Sequence, residues 1–257
     1  MENKFYIDEL KHSISSDNYQ VNKFITIYNP SVFEVKDFGE NIYYHVLNIF
    51  VRKPYDLAVE LYDEGIDYQS ITDWDLFFES IIYVPIEFTC ILFGKIDFTE
   101  FVPRINRKNG LKYLVNKNNQ EFCIDEAIYR KIVTYLRYIH FISEKVEYDV
   151  GNGMAKKFLI DRMRRKQKKL LKDYELGKIK RQSNISNMIK YCVNSPNFKY
   201  DYSTVMNLKL NLLYESYYFI VHYGNRDNLM SGIYHGTIDT NKLKDKSILD
   251  IIPDLHK

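Results

Sequence analysis

Residues 24–50 read FITIYNPSVFEVKDFGENIYYHVLNIF, and the division of this stretch into elements decides the fold. Its first five residues (24–28) alternate in hydrophobicity and are mostly β-branched or aromatic, the pattern of a half-buried strand. Asn29-Pro30 is a turn signal. Ser31 and Glu34 then make an S-x-x-E capping box, in which each side chain serves the other's backbone N–H at a helix start. Behind the cap, Val32, Val35, Phe38, Ile42, Val46 and Ile49 recur at three- and four-residue steps. That spacing predicts one helical run with these six residues facing inward.

Working outward, Pro54 suits the first turn of a second helix carrying Leu57, Leu61 and Tyr62, with Gly65 as its C-cap. Thr72 and Asp75 open a third helix, in SITDWDLFFESI. Helices joined by such short polar links pack antiparallel. The run IIYVPIEFTCILF (81–93) is the most apolar in the chain, yet it holds Glu87 and Pro85 and has thirteen residues. A bilayer span needs about twenty, so the run reads as a buried core segment. IDFTEFV, LKYLV and EFCI, separated by RINRKNG and NKNNQ, predict a small antiparallel meander. Asp125 begins a helix through Ile128, Ile132, Tyr135, Leu136 and Ile139.

Residues 143–153 are polar, end in two glycines and read as a linker. A long basic helix follows from about Met154, then the helix NISNMIKYCV, a large helix over about 203–223, and a separate short one in NRDNLMSGIY. The expected organisation is an N-terminal segment (1–23), an α+β domain (24–142), the linker (143–153), the basic helix (154–181) and a C-terminal helical region (182–257). The fold class expected is mainly α (α+β), with a small antiparallel β element in the N-terminal half.

Composition is globular, with 46% apolar and 27% charged residues. Three alanines stand against 23 tyrosines, and Asn, Lys, Ile and Tyr share AT-rich codons. Tyrosine is enriched at protein interfaces, although it also packs as an ordinary core ring. The start MENKFYIDELKHSISSDN lacks a basic patch followed by an apolar run, so no secretory signal is expected. Cys90, Cys123 and Cys192 are odd in number and widely spaced, which points to reduced, small buried side chains. Cytoplasm is the expected compartment.

Charge is unevenly placed. Between Met154 and Arg181 there are twelve Lys or Arg and three acidic residues, whereas the remaining chain has 24 basic and 31 acidic residues. On a helix, Ala155, Leu159, Met163, Gln167, Leu170 and Tyr174 fall along one face. Lys157, Arg164, Arg165, Lys168, Lys169 and Lys172 fall opposite, and Arg164, Arg165, Lys168, Lys169 and Lys172 are the candidate partner-binding residues. Like charges four residues apart, such as Arg164 with Lys168, each disfavour the helix by a few tenths of a kcal/mol. Four readings follow: a solvated face beside the acidic remainder of the chain, docking to an acidic protein, nucleic-acid binding through phosphates, or membrane-surface binding, against which the lack of large aromatic content on the apolar face argues.

Catalytic, metal and cofactor signatures are absent. There is no GxxxxGK[ST], no HExxH, no HxxxH and no GxSxG. His45, His140 and His222 lie in aromatic helical runs and read as half-buried, hydrogen-bonded residues. Asp73 and Asp75 flank the only tryptophan, Trp74, and their position after Thr72 suits helix capping rather than paired-carboxylate catalysis. No enzyme, cofactor or metal is expected.

Four segments, KFITIYNPSVFEVKDFGENIYYHVLNIF (23–50), GIDYQSITDWDLFFESI (65–81), SPNFKYDYSTVMNLKLNLLYESYYFI (195–220) and GIYHGTIDTNKLK (232–244), resemble tail-assembly chaperones and baseplate-hub assembly proteins of phages infecting low-GC Gram-positive bacteria. The resemblance carries over no functional residue, and the basic helix has no counterpart in it. It implies a virion-morphogenesis factor binding tape-measure, tube or baseplate subunits in the host cytoplasm. The alternatives are a structural subunit retained in the virion, and a protein bound to nucleic acid through residues 154–181.

Overall fold

The strand expected at 24–28 is only two residues long. In the computed structural model, which describes residues 7, 10–143, 150–178, 183–196, 198–243 and 245–255, β1 (Tyr19–Gln20) pairs antiparallel with β2 (Thr26–Ile27). Ile25 and Ile27 are buried, while Tyr28 leaves the ladder and its N–H donates to the Leu92 carbonyl at 2.8 Å. The Ser31–Glu34 capping box forms as expected: the Glu34 N–H donates to Ser31 Oγ (3.2 Å) and the Ser31 N–H to Glu34 Oε2 (2.6 Å).

The helix behind the box is not continuous. It divides at Gly39, whose φ of 100° no L residue adopts readily, into α1 (Val32–Phe38) and α2 (Glu40–Val51). The break resets the helical phase. Val32 and Val35 point inward, but in α2 the buried residues are Tyr43, Val46, Leu47, Phe50 and Val51, and Ile42 is 42% exposed.

A 3₁₀ turn (Pro54–Leu57) leads into α3 (Ala58–Asp63), closed by Gly65 at φ +77°. α4 (Asp73–Ser80) has the Thr72–Asp75 capping box, and α5 (Ile86–Phe93) begins after Pro85. The apolar run 81–93 is buried on one face only: Ile81, Thr89, Leu92 and Phe93 face the core, but Tyr83, Phe88 and Cys90 are exposed. The meander is β3 (Phe101–Ile105), β4 (Lys112–Asn116) and β5 (Cys123–Asp125), antiparallel in that order, with Pro103 on edge strand β3 where a missing donor is tolerated. Asp125 caps α6 (Glu126–Ile139). Then come α7 (Gly153–Glu175), α8 (Asn184–Val193) and α9 (Leu210–Tyr234). The architecture is mainly α with a small antiparallel β element. Parts of the expected linker (144–149) and of the basic turn after Gly177 (179–182) lie outside the described residues.

The C-terminal helices differ from expectation. No helix starts at Ser203; instead a 3₁₀ turn (Val205–Asn207) precedes a short bridge between Ser31 and Lys209. The Val32 N–H donates to the Leu208 carbonyl and the Leu210 N–H to the Pro30 carbonyl, both at 2.9 Å, which holds Leu208 and Lys209 extended. α9 starts only beyond it, then runs unbroken through the segment read as a separate helix.

The core is aromatic. Phe50 stacks on Phe93 at 4.6 Å and lies against Phe77 and Phe98, while Trp74 and Phe77 pack on Tyr129. Full burial of each such ring is worth about 1.5–3 kcal/mol. Ile185, Cys192, Val205, Leu210, Leu213 and Tyr214 belong to this same buried cluster. A second, smaller cluster of Ala58, Leu61 and Tyr68 lies beneath α7. Among the described residues, no helix is long and apolar enough to cross a membrane.

Candidate partner-binding helix

α7 begins where Asn152 Oδ1 accepts the Ala155 N–H at 2.8 Å. Its twenty-three residues make a rod about 35 Å long, at 1.5 Å per residue. The first half is docked on α3 and the loop that follows it. Ile160 is 1% exposed, and Met163 packs against the Ala58–Leu61–Tyr68 cluster. Acidic residues ring that contact. Lys156 Nζ pairs with Asp67 at 2.6 Å and sits 5.6 Å over the Tyr68 ring. Arg164 pairs with Asp63 and reaches Asp161 at 3.8 Å, and Gln167 Nε2 donates to Glu60 Oε1 at 3.4 Å. The hydrogen bond from Lys156 holds the Asp67 carboxyl below its ordinary range.

This docked line is rotated from the face read in the sequence. Ala155 is exposed and Leu159 only half-buried, whereas Lys156, Ile160, Met163, Arg164 and Gln167 meet α3 and its loop. Sequence reasoning passed over Ile160, which lies beside Leu159 and competes with it. The signal that could have found it is Glu60, Asp63, Glu64 and Asp67, acidic residues at helical spacing that complement Lys156 and Arg164.

From Arg165 to Lys172 every residue is exposed. The five candidate residues therefore divide. Arg164 is turned inward to Asp63. Arg165 Nε donates to the Asp161 carbonyl of its own helix at 3.3 Å. Lys168, Lys169 and Lys172 stand in solvent, with no ion pair to another described residue. Exposed apolar side chains lie among them: Leu170 at 46% and Leu171 at 60%.

Other positions singled out in the sequence have structural roles. Thr72 Oγ1 accepts the Asp75 N–H (3.1 Å), Asp75 Oδ2 accepts the Thr72 N–H (2.8 Å), and Asp73 pairs with Arg130 at 2.7 Å. Trp74 is a core ring. His140 is buried, and burial pushes its pKa down to about 4. Its Nε2 lies 2.6 Å from Tyr43 Oη, and its Nδ1 lies 2.7 Å from the Leu136 carbonyl. His222 Nε2 meets the Asp250 carbonyl at 2.8 Å, but His45, expected to be half-buried, is exposed. Of the cysteines only Cys192 is fully buried, where burial raises its thiol pKa to about 11; Cys90 is exposed and Cys123 intermediate. Among the described residues, no three His, Cys, Asp or Glu side chains gather as metal ligands would.

One hollow of about 510 Å³ lies between Tyr28, Phe33, Phe38 and Ile91, with Glu34 and Asp37 also lining it. It was not legible in the sequence, because Tyr28 and Ile91 are far apart in the chain and meet through tertiary contacts that include the bond from the Tyr28 N–H to the Leu92 carbonyl. No family model, characterised protein or solved structure matches the chain.

Proposed function

We propose that this chain is a non-catalytic, protein-binding assembly factor whose docking surface is the C-terminal half of α7, and that it serves phage tail morphogenesis. The observation that carries the binding reading is the change along α7 at residues 164–165. Before it, each cation that faces α3 is matched by an acidic group of the same chain. After it, Lys168, Lys169 and Lys172 are exposed and have no ion pair to another described residue. A helix face neutralised by its own protein accounts for Lys156 and Arg164 alone. The repulsion of Arg165 with Lys169 and of Lys168 with Lys172 costs the helix a few tenths of a kcal/mol each, and an acidic protein partner offsets it.

The tail-assembly setting rests on the resemblance carried by residues 23–50, 65–81, 195–220 and 232–244. In that setting the chain acts in the host cytoplasm as a chaperone for tape-measure, tube or baseplate subunits. Such work calls for grooves and charged rims rather than a catalytic site.

The test combines two measurements. Mass spectrometry of purified virions is expected to lack the chain, and a tagged pull-down from infected cells is expected to recover a tape-measure or tube protein. Joint reversal of Arg165, Lys168, Lys169 and Lys172 to Glu is expected to abolish that recovery; Arg164 stays unchanged because it anchors α7. Stoichiometric presence in virions makes the chain a tail component instead. Salt-sensitive retention on duplex DNA, lost in the same variant, replaces the protein-binding reading with a nucleic-acid one.

A further inference from the structure

The line of α7 that docks on α3 does not end where α3 ends. At roughly 100° per residue, Ile160, Met163, Arg164, Gln167, Leu170, Leu171 and Tyr174 all fall within one arc of about 120°. Ile160, Met163 and Arg164 pack against α3 and the loop after it, and Gln167, itself exposed, reaches Glu60. Leu170 and Leu171 repeat the positions of Met163 and Arg164 seven residues on, and they are exposed. α3 and the 3₁₀ turn Pro54–Leu57 that runs into it together make ten residues, about 17 Å, against about 35 Å for α7. They can cover only part of the rod.

α3 also shows what kind of segment this line accepts. It is a short helix that offers Ala58 and Leu61 to the contact and carries Glu60, Asp63 and Glu64 beside them. The continuation has matching chemistry: Leu170 and Leu171 form the apolar stripe, with Lys168 and Lys172 on one flank and, on the other, Lys166 beside Asp173, which pairs with Lys178. We infer that the exposed stripe of Leu170 and Leu171 receives a partner's amphipathic helix with acidic flanks, along the line of α7 beyond α3 and the 3₁₀ turn Pro54–Leu57 that leads into it. This rests on the assembly-factor reading above and names the partner segment: aliphatic residues at helical spacing, bordered by Asp or Glu. Apolar burial supplies the affinity, and the lysines set orientation and exclude basic helices.

The experiment is fluorescence anisotropy of the full chain with two labelled helical peptides, sharing one leucine stripe but flanked by Glu in one and Lys in the other. The wild type is expected to bind the Glu-flanked peptide and not the Lys-flanked one. Leu170→Ser with Leu171→Ser, both exposed and so neutral to the fold, is expected to weaken binding at least about tenfold, as hot-spot truncations do. Circular dichroism checks that the variant is folded. Joint Lys166→Glu, Lys168→Glu and Lys172→Glu is expected to reverse the preference. Failure of the wild type to bind the Glu-flanked peptide overturns the inference, as does binding that survives loss of both leucines. So does a wild-type dimer that becomes a monomer in the leucine variant, because the occupant is then a second copy. The two readings separate cleanly: tail-protein recovery that depends on the lysines, without peptide binding, removes the helix inference and leaves the assembly-factor reading standing. Loss of both removes both.

Discussion

His140 shows how much one buried side chain decides. The Leu136 carbonyl can only accept, so the ring nitrogen 2.7 Å away, Nδ1, carries the proton. Nε2 is then left with a lone pair, which the Tyr43 hydroxyl fills at 2.6 Å. Both bonds are made by the neutral ring, and burial, opposed by the Leu136 bond, holds its pKa near 4. An unfolded histidine titrates near 6.5, so between the two values the unfolded chain binds more protons than the folded one. Stability from this residue is therefore complete above about pH 6.5 and declines as pH falls toward 4, by up to about 1.4 kcal/mol per pH unit. Urea unfolding at stepped pH is expected to show this slope in the wild type and a shallower one in His140→Gln; equal slopes would place the acid sensitivity elsewhere. At pH 7.5, Tyr43→Phe leaves Nε2 buried without a donor and is expected to cost about 1–3 kcal/mol in the same assay. Gly94 is a second decisive residue. It sits at φ +62°, and a Cβ there meets the Tyr28 ring at 2.8 Å, whereas Gly110 at φ +71° faces open space. Positive φ costs each Gly→Ala about 1–2 kcal/mol, and at Gly94 the ψ of −119° lies outside the left-handed well and adds to that cost. Gly94→Ala is expected to lose measurably more than Gly110→Ala, since Tyr28 must also move. Matched losses would show that the ring yields freely.

At the scale of elements, what the sequence revealed was local. Both capping boxes were legible because each is complete within four residues, Ser31 to Glu34 and Thr72 to Asp75. The meander was legible from turn residues between short apolar runs, and α8 from its own periodicity. The break at Gly39 was hidden because Phe38 and Ile42 are spaced as one helix requires; only the backbone reversal at φ 100° shifts the inward line to Tyr43, Leu47 and Phe50. α7 was misread for the opposite reason. Its few apolar residues fit more than one face, and the choice among them is made by α3, about a hundred residues earlier, through Asp63 and Glu60. That dependence has a measurable consequence. Because Ile160 is the one fully buried residue of α7 and lies outside the main aromatic core, Ile160→Asp is expected to undock the helix without unfolding the protein. Hydrogen exchange is then expected to accelerate over residues 153–164, with exchange in α2 and α6 unchanged. Global acceleration would mean that α7 is part of the cooperative core.

At the scale of the whole molecule, the buried cluster takes residues from both sides of the 143–153 stretch, and composition gives no sign of it. The joining contacts span nearly the full chain. Asn211 Oδ1 accepts from Ser16 Oγ and from Asn29 Nδ2, its own amide donates to the His12 carbonyl, and the Tyr44 and Tyr214 hydroxyls meet. Partners 170 to 199 residues apart leave no periodic trace, so these contacts between distant segments are not visible in the sequence. Asn211 satisfies three groups at once in a site closed to water, and Leu213 beside it is fully buried. Leu213→Ala therefore removes aliphatic volume from the shared core and is expected to cost about 2–5 kcal/mol. Trp74 lies far earlier in the chain but in the same cluster, so its fluorescence reports whether that loss is felt throughout. If the interior is one cooperative unit, the Trp74 transition and the far-ultraviolet dichroism transition in urea move together, to the same lower midpoint. If Trp74 keeps its wild-type midpoint while part of the dichroism signal melts early, α8 and α9 unfold on their own, and the shared cluster is a contact between separable parts rather than a single core.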